Sequence, residues 1–314
     1  MLTAYVRSGQ TLIRKVINLR TELPPDALWI DLYSPTEQER NWVREQFSQE
    51  LQFIEELDEI EASSRYYRDE TGLHINLYFL LLENNRARNV NVAFTLNNNR
   101  LFTLRTDELP EIRTFSTQRV KDASDYPSAA SLLLGLVAAR VSLMADVLQK
   151  LQADLDVVSS MVFRTEARVM TNTLESLARI EDINGKARLG FMENTRAYSN
   201  LARITDLNVN PDVPSEILRD VESLVNFSDF LAERTQFLLD AAMGMINIAH
   251  NKRLNVFTVL SVVLMPPTLI ASIYGMNFRH MPELGWTWGY PMAIAMMVFV
   301  AVVPIVFLRK KGWL

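Results

Sequence analysis

Two sets of residues near the C-terminus carry oxygen acceptors at spacings suited to handling a cation. The first is the segment Tyr274-Gly275-Met276-Asn277-Phe278, which continues to Met281-Pro282-Glu283-Leu284. The side-chain carbonyl of Asn277 accepts hydrogen bonds without carrying charge, so a ring of such amides can receive the water hydrogens of a hydrated ion. A small, strongly hydrated cation gives up its waters reluctantly and is usually held through them. A carboxylate ring in the same place would bind too tightly, since conduction needs weak sites. Asn also ends helices, the plainer use of Asn277. Gly275 is expected to let the backbone turn sharply, and Glu283 either draws cations to an entrance or is a solvated loop acid.

The second set lies upstream. Steps of four and three residues back from Ser272 give Ser272, Thr268, Met265, Ser261, Thr258, Leu254, Asn251, Asn247, Gly244 and Asp240. This alternation is the heptad step that keeps one helix face turned to an axis. Small polar residues in a membrane helix also mark close helix packing. The continuation through Asn251, Asn247 and Asp240 favours a wet pore instead, because an acid in a dry seam is costly unless water or cations reach it. Rings of Leu254, Met265 and the adjacent Phe257 can close such a pore by dewetting; the alternative is ordinary packing.

The elements that must position these residues are two apolar helices. Neither Asn255–Phe278 nor Leu284–Leu308 contains Asp, Glu, Lys or Arg. About 20 apolar residues cross a bilayer, so spans over about 254–274 and 289–308 are expected, joined by a loop over 275–288. Lys252 and Arg253 before the hairpin and Arg309, Lys310 and Lys311 after it put both termini in the cytosol and the loop outside. Tyr274, Trp286, Trp288 and Tyr290 supply an outer aromatic belt, with Trp313 near the inner boundary. Between Pro214 and Pro266 there is no proline. One helix is therefore predicted from Ser215 through the membrane to Tyr274, roughly 90 Å long at 1.5 Å per residue. Its first part, 215–250, projects as a stalk. Pro291–Leu308 has no polar residue and suits an outer, lipid-facing helix. One hairpin cannot enclose a pore, so a channel requires several copies.

Composition narrows the remaining classes. The chain has 314 residues and a net charge of −5. Six basic residues and one acid from Lys252 onward make +5, which leaves −10 on residues 1–251. An acidic body argues against nucleic acid as a partner and suits the focusing of cations. The absence of cysteine excludes disulfides and thiolate metal sites. The three histidines, His74, His250 and His280, are scattered, and no phosphate-cradling loop or nucleophile motif is present, so an enzyme is not expected. No organic cofactor is implied. The start of the chain lacks the apolar run of a signal peptide, which leaves residues 1–250 cytosolic.

Residues 1–125 read as an α/β region, with 126–250 helical and 251–314 in the membrane. Ala27–Leu32 is a predicted strand, followed by a helix capped by Ser34 with Glu37 three on, running to about Ser48. Leu73–Leu82 is a second strand, and Val90–Leu96 and Arg100–Arg105 flank a hairpin turn at Asn97-Asn98-Asn99. Long helices are expected over 128–163 and 168–204. A break follows at 208–214.

The motif Tyr274-Gly275-Met276-Asn277 with Met281-Pro282-Glu283-Leu284 resembles that of the CorA family of divalent cation channels. WIDL (Trp29–Leu32), DEIEAS (Asp58–Ser63), VAFTL (Val92–Leu96), RLFTLR (Arg100–Arg105), ILRDVESL (Ile217–Leu224) and MPPTL (Met265–Leu269) extend the likeness over essentially the whole chain. The resemblance implies a homopentameric funnel in the bacterial inner membrane, with an α+β cytosolic domain (an α/β/α sandwich plus long helices) and a stalk helix continuous with the first of two spans. It implies Mg2+ uptake, with Co2+ and Ni2+ also carried, a filter at Gly275, Met276 and Asn277, and closure by cytosolic Mg2+ bound between subunits. Asp240 matches a pore-lining acid of the family. Glu216 and Asp220, one helical turn apart and so on one face, resemble its regulatory acids. The family includes a zinc-transporting branch, from which the MPEL continuation points away; a membrane-anchored scaffold without transport is the reading from another class.

Overall fold

The computed structural model describes residues 1–9, 11–18, 26–51, 65–83, 86–97, 99–119, 125–164, 170–203, 209–210, 212–276 and 281–312. Contacts divide the chain into two compact units, one covering Met1–Thr165 and Thr171–Leu239, the other including Asp240–Leu314.

The first unit is built on a seven-stranded sheet of order β2-β1-β3-β7-β6-β5-β4. The strands are β1 (Leu2–Ser8), β2 (Thr11–Val16), β3 (Ala27–Tyr33), β4 (Tyr66–Asp69), β5 (Gly72–Glu83), β6 (Arg86–Asn97) and β7 (Arg100–Arg105). The β3–β7 pair is parallel and the others are antiparallel. The expected strands are present and the hairpin forms, with Asn97 opposite Arg100 and Asn99 at φ 61, a left-handed conformation that Asn tolerates. Asn99 Oδ1 then accepts from the Ala129 N–H at 3.2 Å, which satisfies a free donor at the start of the next long helix. Strands β1, β2 and β4 were not apparent from local pattern. In β2 only Leu12 is buried; an edge strand carrying Arg14 and Lys15 has little period to read.

Helix α1 (Glu37–Phe47) is capped by Thr36, not Ser34. Thr36 Oγ1 accepts from the Glu39 N–H at 3.3 Å, and Glu39 Oε2 accepts from the Thr36 N–H at 2.8 Å. Ser34 is instead a left-handed turn residue at φ 41, so the capping box is shifted by two positions from the one expected. Partial burial would raise the Glu39 carboxyl, but the Thr36 N–H and the N-terminal ammonium hold it below its ordinary range.

Alternation sorts the sheet's side chains onto two faces. Ile30, Leu32, Ala93, Phe102 and Leu104 pack with Val43 of α1 on one face. On the other, Trp29 stacks on Tyr5 at 4.1 Å, near helix α2 (Pro110–Thr114) and a π turn (Phe115–Arg119). Arg140 of α3 (Ala129–Arg164) lies over Phe79 on that face. Helix α4 (Met170–Arg203) clamps the β5 backbone through Asn194, which accepts from Tyr78 N–H at 3.0 Å and donates to Tyr78 O at 2.9 Å. Helices thus cover both faces of the sheet.

Helix α5 (Asp212–Tyr274) is 63 residues long and passes through Pro266 and Pro267 without interruption. The stalk and the first apolar span are therefore one helix. It starts at Asp212, three residues earlier than predicted, because Pro214 lies in the first turn, where a missing N–H costs nothing. In the first unit it buries Ile217, Val221, Ser228, Leu231 and Leu238. Ser228 and Asn184 of α4 exchange two hydrogen bonds of 2.9 Å. Helix α6 (Gly289–Lys310) closes the chain.

Among the described residues three helices, α3, α5 and α6, are long and apolar enough to cross a bilayer. Half of the apolar window of α3 is buried, whereas that of α5 has none buried and that of α6 almost none. The buried apolar residues of α3 pack on the sheet, while Val157, Met161 and Phe163 stay exposed.

Candidate functional site

The second unit holds most of the residues to which the sequence assigned chemistry. Along α5, Asp240, Asn247, Asn251, Leu254, Phe257, Thr258, Ser261, Met265, Thr268 and Ser272 are all exposed. Within the apolar span the half-buried positions are Val259, Val263, Pro266, Pro267, Ile270 and Tyr274. Val259 and Val263 line one pocket with Ile305 of α6, and Met292, Ala293, Met297, Val300, Pro304 and Leu308 of α6 are at least half-buried. The polar seam is thus not consumed by packing within the hairpin. Val298, Phe299, Val302, Val306 and Phe307 of α6 remain exposed as an apolar surface.

Three of the four seam hydroxyls share one geometry. Thr258 Oγ1 donates to Leu254 O at 2.9 Å, Ser261 Oγ to Phe257 O at 2.9 Å and Thr268 Oγ1 to Leu264 O at 2.7 Å. Each hydroxyl proton is tied to the preceding turn. What each oxygen still offers outward is acceptor capacity, the half of its chemistry that a donor such as an ion-bound water requires. This back-bonding is local and recurrent for Ser and Thr in helices, yet spacing alone did not reveal it.

Asn277, the proposed filter amide, lies outside the described residues, as do His280, Trp313 and the DEIEAS stretch. Gly275 and Met276 are exposed just past the end of α5. The chain turns at Gly275 and bends at Met276, but Gly275 does not use the left-handed region reserved for glycine. Its N–H donates to Ala271 O at 2.9 Å, continuing the helical pattern. Its lack of a side chain still matters, because a Cβ there would sit 3.2 Å from that carbonyl. Glu283 is half-buried in a short 3-10 turn, Pro282–Gly285, whose chain returns close to the start of α6. A Cβ on Gly289 would meet Glu283 O at 2.2 Å, so only glycine permits this approach. Trp286, Trp288 and Tyr290 are all exposed beside that turn, as residues of an interfacial belt would be.

Glu216 and Asp220 lie in the first unit. Both are exposed, about 100° round α5 from buried Ile217 and Val221. Among the described residues, no three of His, Asp or Glu stand close enough to hold a metal ion. Sequence reasoning missed the polar centre of the sheet. There Trp29 Nε1 donates to Thr103 Oγ1 (3.1 Å), which donates to Asp31 Oδ1 (2.7 Å), while Arg105 reaches Asp31 through Nε (3.1 Å) and Nη2 (2.9 Å). The available signal was an acid inside the apolar run Trp29-Ile30-Asp31-Leu32.

Comparison with known proteins agrees with this geometry. The family described as CorA-like Mg2+ transporter protein matches residues 25–310. The magnesium transport protein CorA of Haemophilus influenzae is 40% identical over 321 residues, covering 100% of both chains. That of Salmonella typhimurium is 39% identical over 317 residues, again covering 100% of both. Among solved structures, the complete CorA magnesium transporter of Methanocaldococcus jannaschii superposes with a TM-score of 0.77 at 18% identity, covering 100% of this chain and 99% of the other. At that identity the superposition speaks for the fold, while the full-length sequence matches carry the kinship: the chain belongs to the CorA family.

Proposed function

We propose that the chain is a Mg2+ transporter that works as a channel, with the α5 seams of several copies lining one pore. Full-length relatives named for magnesium transport support this reading. Its family is one of ion transporters, so the expectation that the chain is not an enzyme holds. The observation that carries the pore reading is the seam itself, exposed along its length, with the hydroxyl protons of Thr258, Ser261 and Thr268 turned into the helix. A hydrated divalent cation presents water hydrogens to its surroundings, and this face offers acceptors to them.

In this proposal five copies surround the pore. Two spans per copy, α5 from about 254 to 274 and α6 from about 289 to 308, cross the bacterial inner membrane, with both termini cytosolic. Residues 1–125 and 126–250 form the cytosolic part and 251–314 the membrane part. Gly275, Met276 and Asn277 form the outer filter and Glu283 attracts cations to it. Glu216 and Asp220 bind regulatory Mg2+ together with donors from a neighbouring copy. Co2+ and Ni2+ pass as well.

The test is Mg2+ entry into proteoliposomes that contain a trapped Mg2+ indicator. Wild-type protein should conduct, and Asn277→Ala should not. Undiminished flux in that variant removes Asn277 from the filter. Faster entry of Zn2+ than Mg2+ moves the chain to the zinc branch, and no ion entry at all leaves a membrane-anchored scaffold.

A further inference from the structure

Helices α5 and α6 leave a groove of about 550 Å³ beside them, toward the basic end of the apolar span. Val256, Val259 and Val263 of α5 and Ile305 of α6 line it, with Lys252 and Asn255 at one end. Lys252, Asn255 and Val259 each follow a seam residue by one position, so the groove lies about 100° round α5 from the seam and leaves the seam free. From Lys252 to Val263 the helix rises about 16 Å at 1.5 Å per residue. That is close to half of a hydrocarbon core of about 30 Å. The groove thus runs from the membrane boundary to about mid-bilayer, the depth that one lipid tail reaches.

An apolar space of that size cannot stay empty in a bilayer without forfeiting the dispersion contacts of its walls. Charge selects its occupant. Ile305 is one turn before Arg309 on the same face of α6, which sets a cation from each helix, Lys252 and Arg309, beside the mouth of the groove. Arg253, Lys310 and Lys311 belong to the same boundary, and Lys311 lies over the Phe307 ring at 5.4 Å. No acidic side chain occurs between Asp240 and Glu283 or after Glu283. The helices of a second copy would therefore bring more cations to this level and no acid. A lipid phosphate brings the missing negative charge, and basic pockets between membrane helices on the cytosolic side hold anionic headgroups.

We propose that the groove binds an anionic phospholipid of the cytosolic leaflet, with its phosphate between Lys252 and Arg309 and one tail laid along Val256, Val259 and Val263. The site rests on the proposed two-span arrangement and adds to it a ligand of stated chemistry. A lipid held there relieves the repulsion among the boundary cations of neighbouring copies.

The test is native mass spectrometry of the full chain in detergent, titrated with dioleoylphosphatidylglycerol or with dioleoylphosphatidylcholine. The anionic lipid should bind at least about tenfold tighter, given two cations at the headgroup. Lys252→Gln with Arg309→Gln should bring it down to the level of the zwitterionic lipid. Arg253→Gln with Lys310→Gln removes the same charge away from the groove and should leave the preference in place. Val259→Trp fills the groove and should cost one bound lipid per chain. Equal affinity for the two lipids overturns the site. So does an equal loss in both charge pairs, the mark of general attraction to a basic surface. Undiminished lipid in Val259→Trp also overturns it and leaves the groove to a helix of a neighbouring copy. The charge pairs alter exposed residues only, so they decide the question even where Val259→Trp does not fold. The assay counts lipid and not flux, so its failure leaves the transport reading standing. Release of the chain from membranes by alkaline carbonate alone would instead overturn the two-span arrangement, and the site with it.

Discussion

Removing the seam hydroxyls while keeping side-chain size separates a pore lining from helix packing. The perturbation is Thr258→Val, Ser261→Ala and Thr268→Val in one chain. Because each hydroxyl donates within its own helix at 2.7–2.9 Å, its loss leaves no orphaned donor, only a carbonyl that keeps its backbone partner. Back-bonding of this kind slightly destabilises helices, so α5 should fold at least as well without it. The loss falls on the passing ion, whose waters forfeit acceptors worth about 0.5–1.5 kcal/mol each. If a single ring governs the barrier at about 1 kcal/mol, flux drops roughly fivefold, since about 1.4 kcal/mol is tenfold. Dewetting of a more apolar lumen acts in the same direction. The assay is Mg2+ entry into proteoliposomes, with the oligomer measured in parallel by native mass spectrometry. An intact oligomer whose flux stays within about twofold of wild type, well inside the loss expected from even one ring, refutes the pore role of these hydroxyls and returns the seam to helix packing.

Three further outcomes are expected. Arg105→Ala strands the buried Asp31 carboxylate and should cost about 3–5 kcal/mol of unfolding free energy; denaturant titration showing less than about 1 kcal/mol, the range of a surface pair, would remove the network from the core. The hydrogen bond from Arg88, and then that of Thr106, hold the Asp107 carboxyl below its ordinary range against the opposing effect of burial. A depressed acid stabilises the fold above its unfolded pKa and loses that contribution as pH falls through the folded one. Asp107→Asn should therefore flatten the acid side of the denaturation midpoint against pH, and a parallel, merely shifted profile contradicts the pairing. Replacing Glu216 and Asp220 together by Ala should leave the channel open at high internal Mg2+, which inside-out patch recording or flux against a Mg2+-loaded lumen would detect. Retained inhibition excludes them from gating.

The sequence by itself determined the two long apolar stretches, the single long helix and the heptad seam, because each is a local matter of apolar length, helical period and the absence of breakers between Pro214 and Pro266. The GMN segment and its continuation were legible for the same reason. Tertiary structure decided what local pattern does not encode. The partly exposed edge strand β2 has no clear alternation, and the parallel pairing of β3 with β7 joins segments about seventy residues apart. Ser34 and Thr36 are both good caps, and only the path of the chain out of β3, left-handed at Ser34, selected the second. Asp31 became the partner of Arg105 because β3 and β7 lie side by side, and Glu111 became a buried acid without a hydrogen-bond partner because α2 is pressed against α3. Long-range contacts set the environment of a charge, and no window of neighbouring residues contains them.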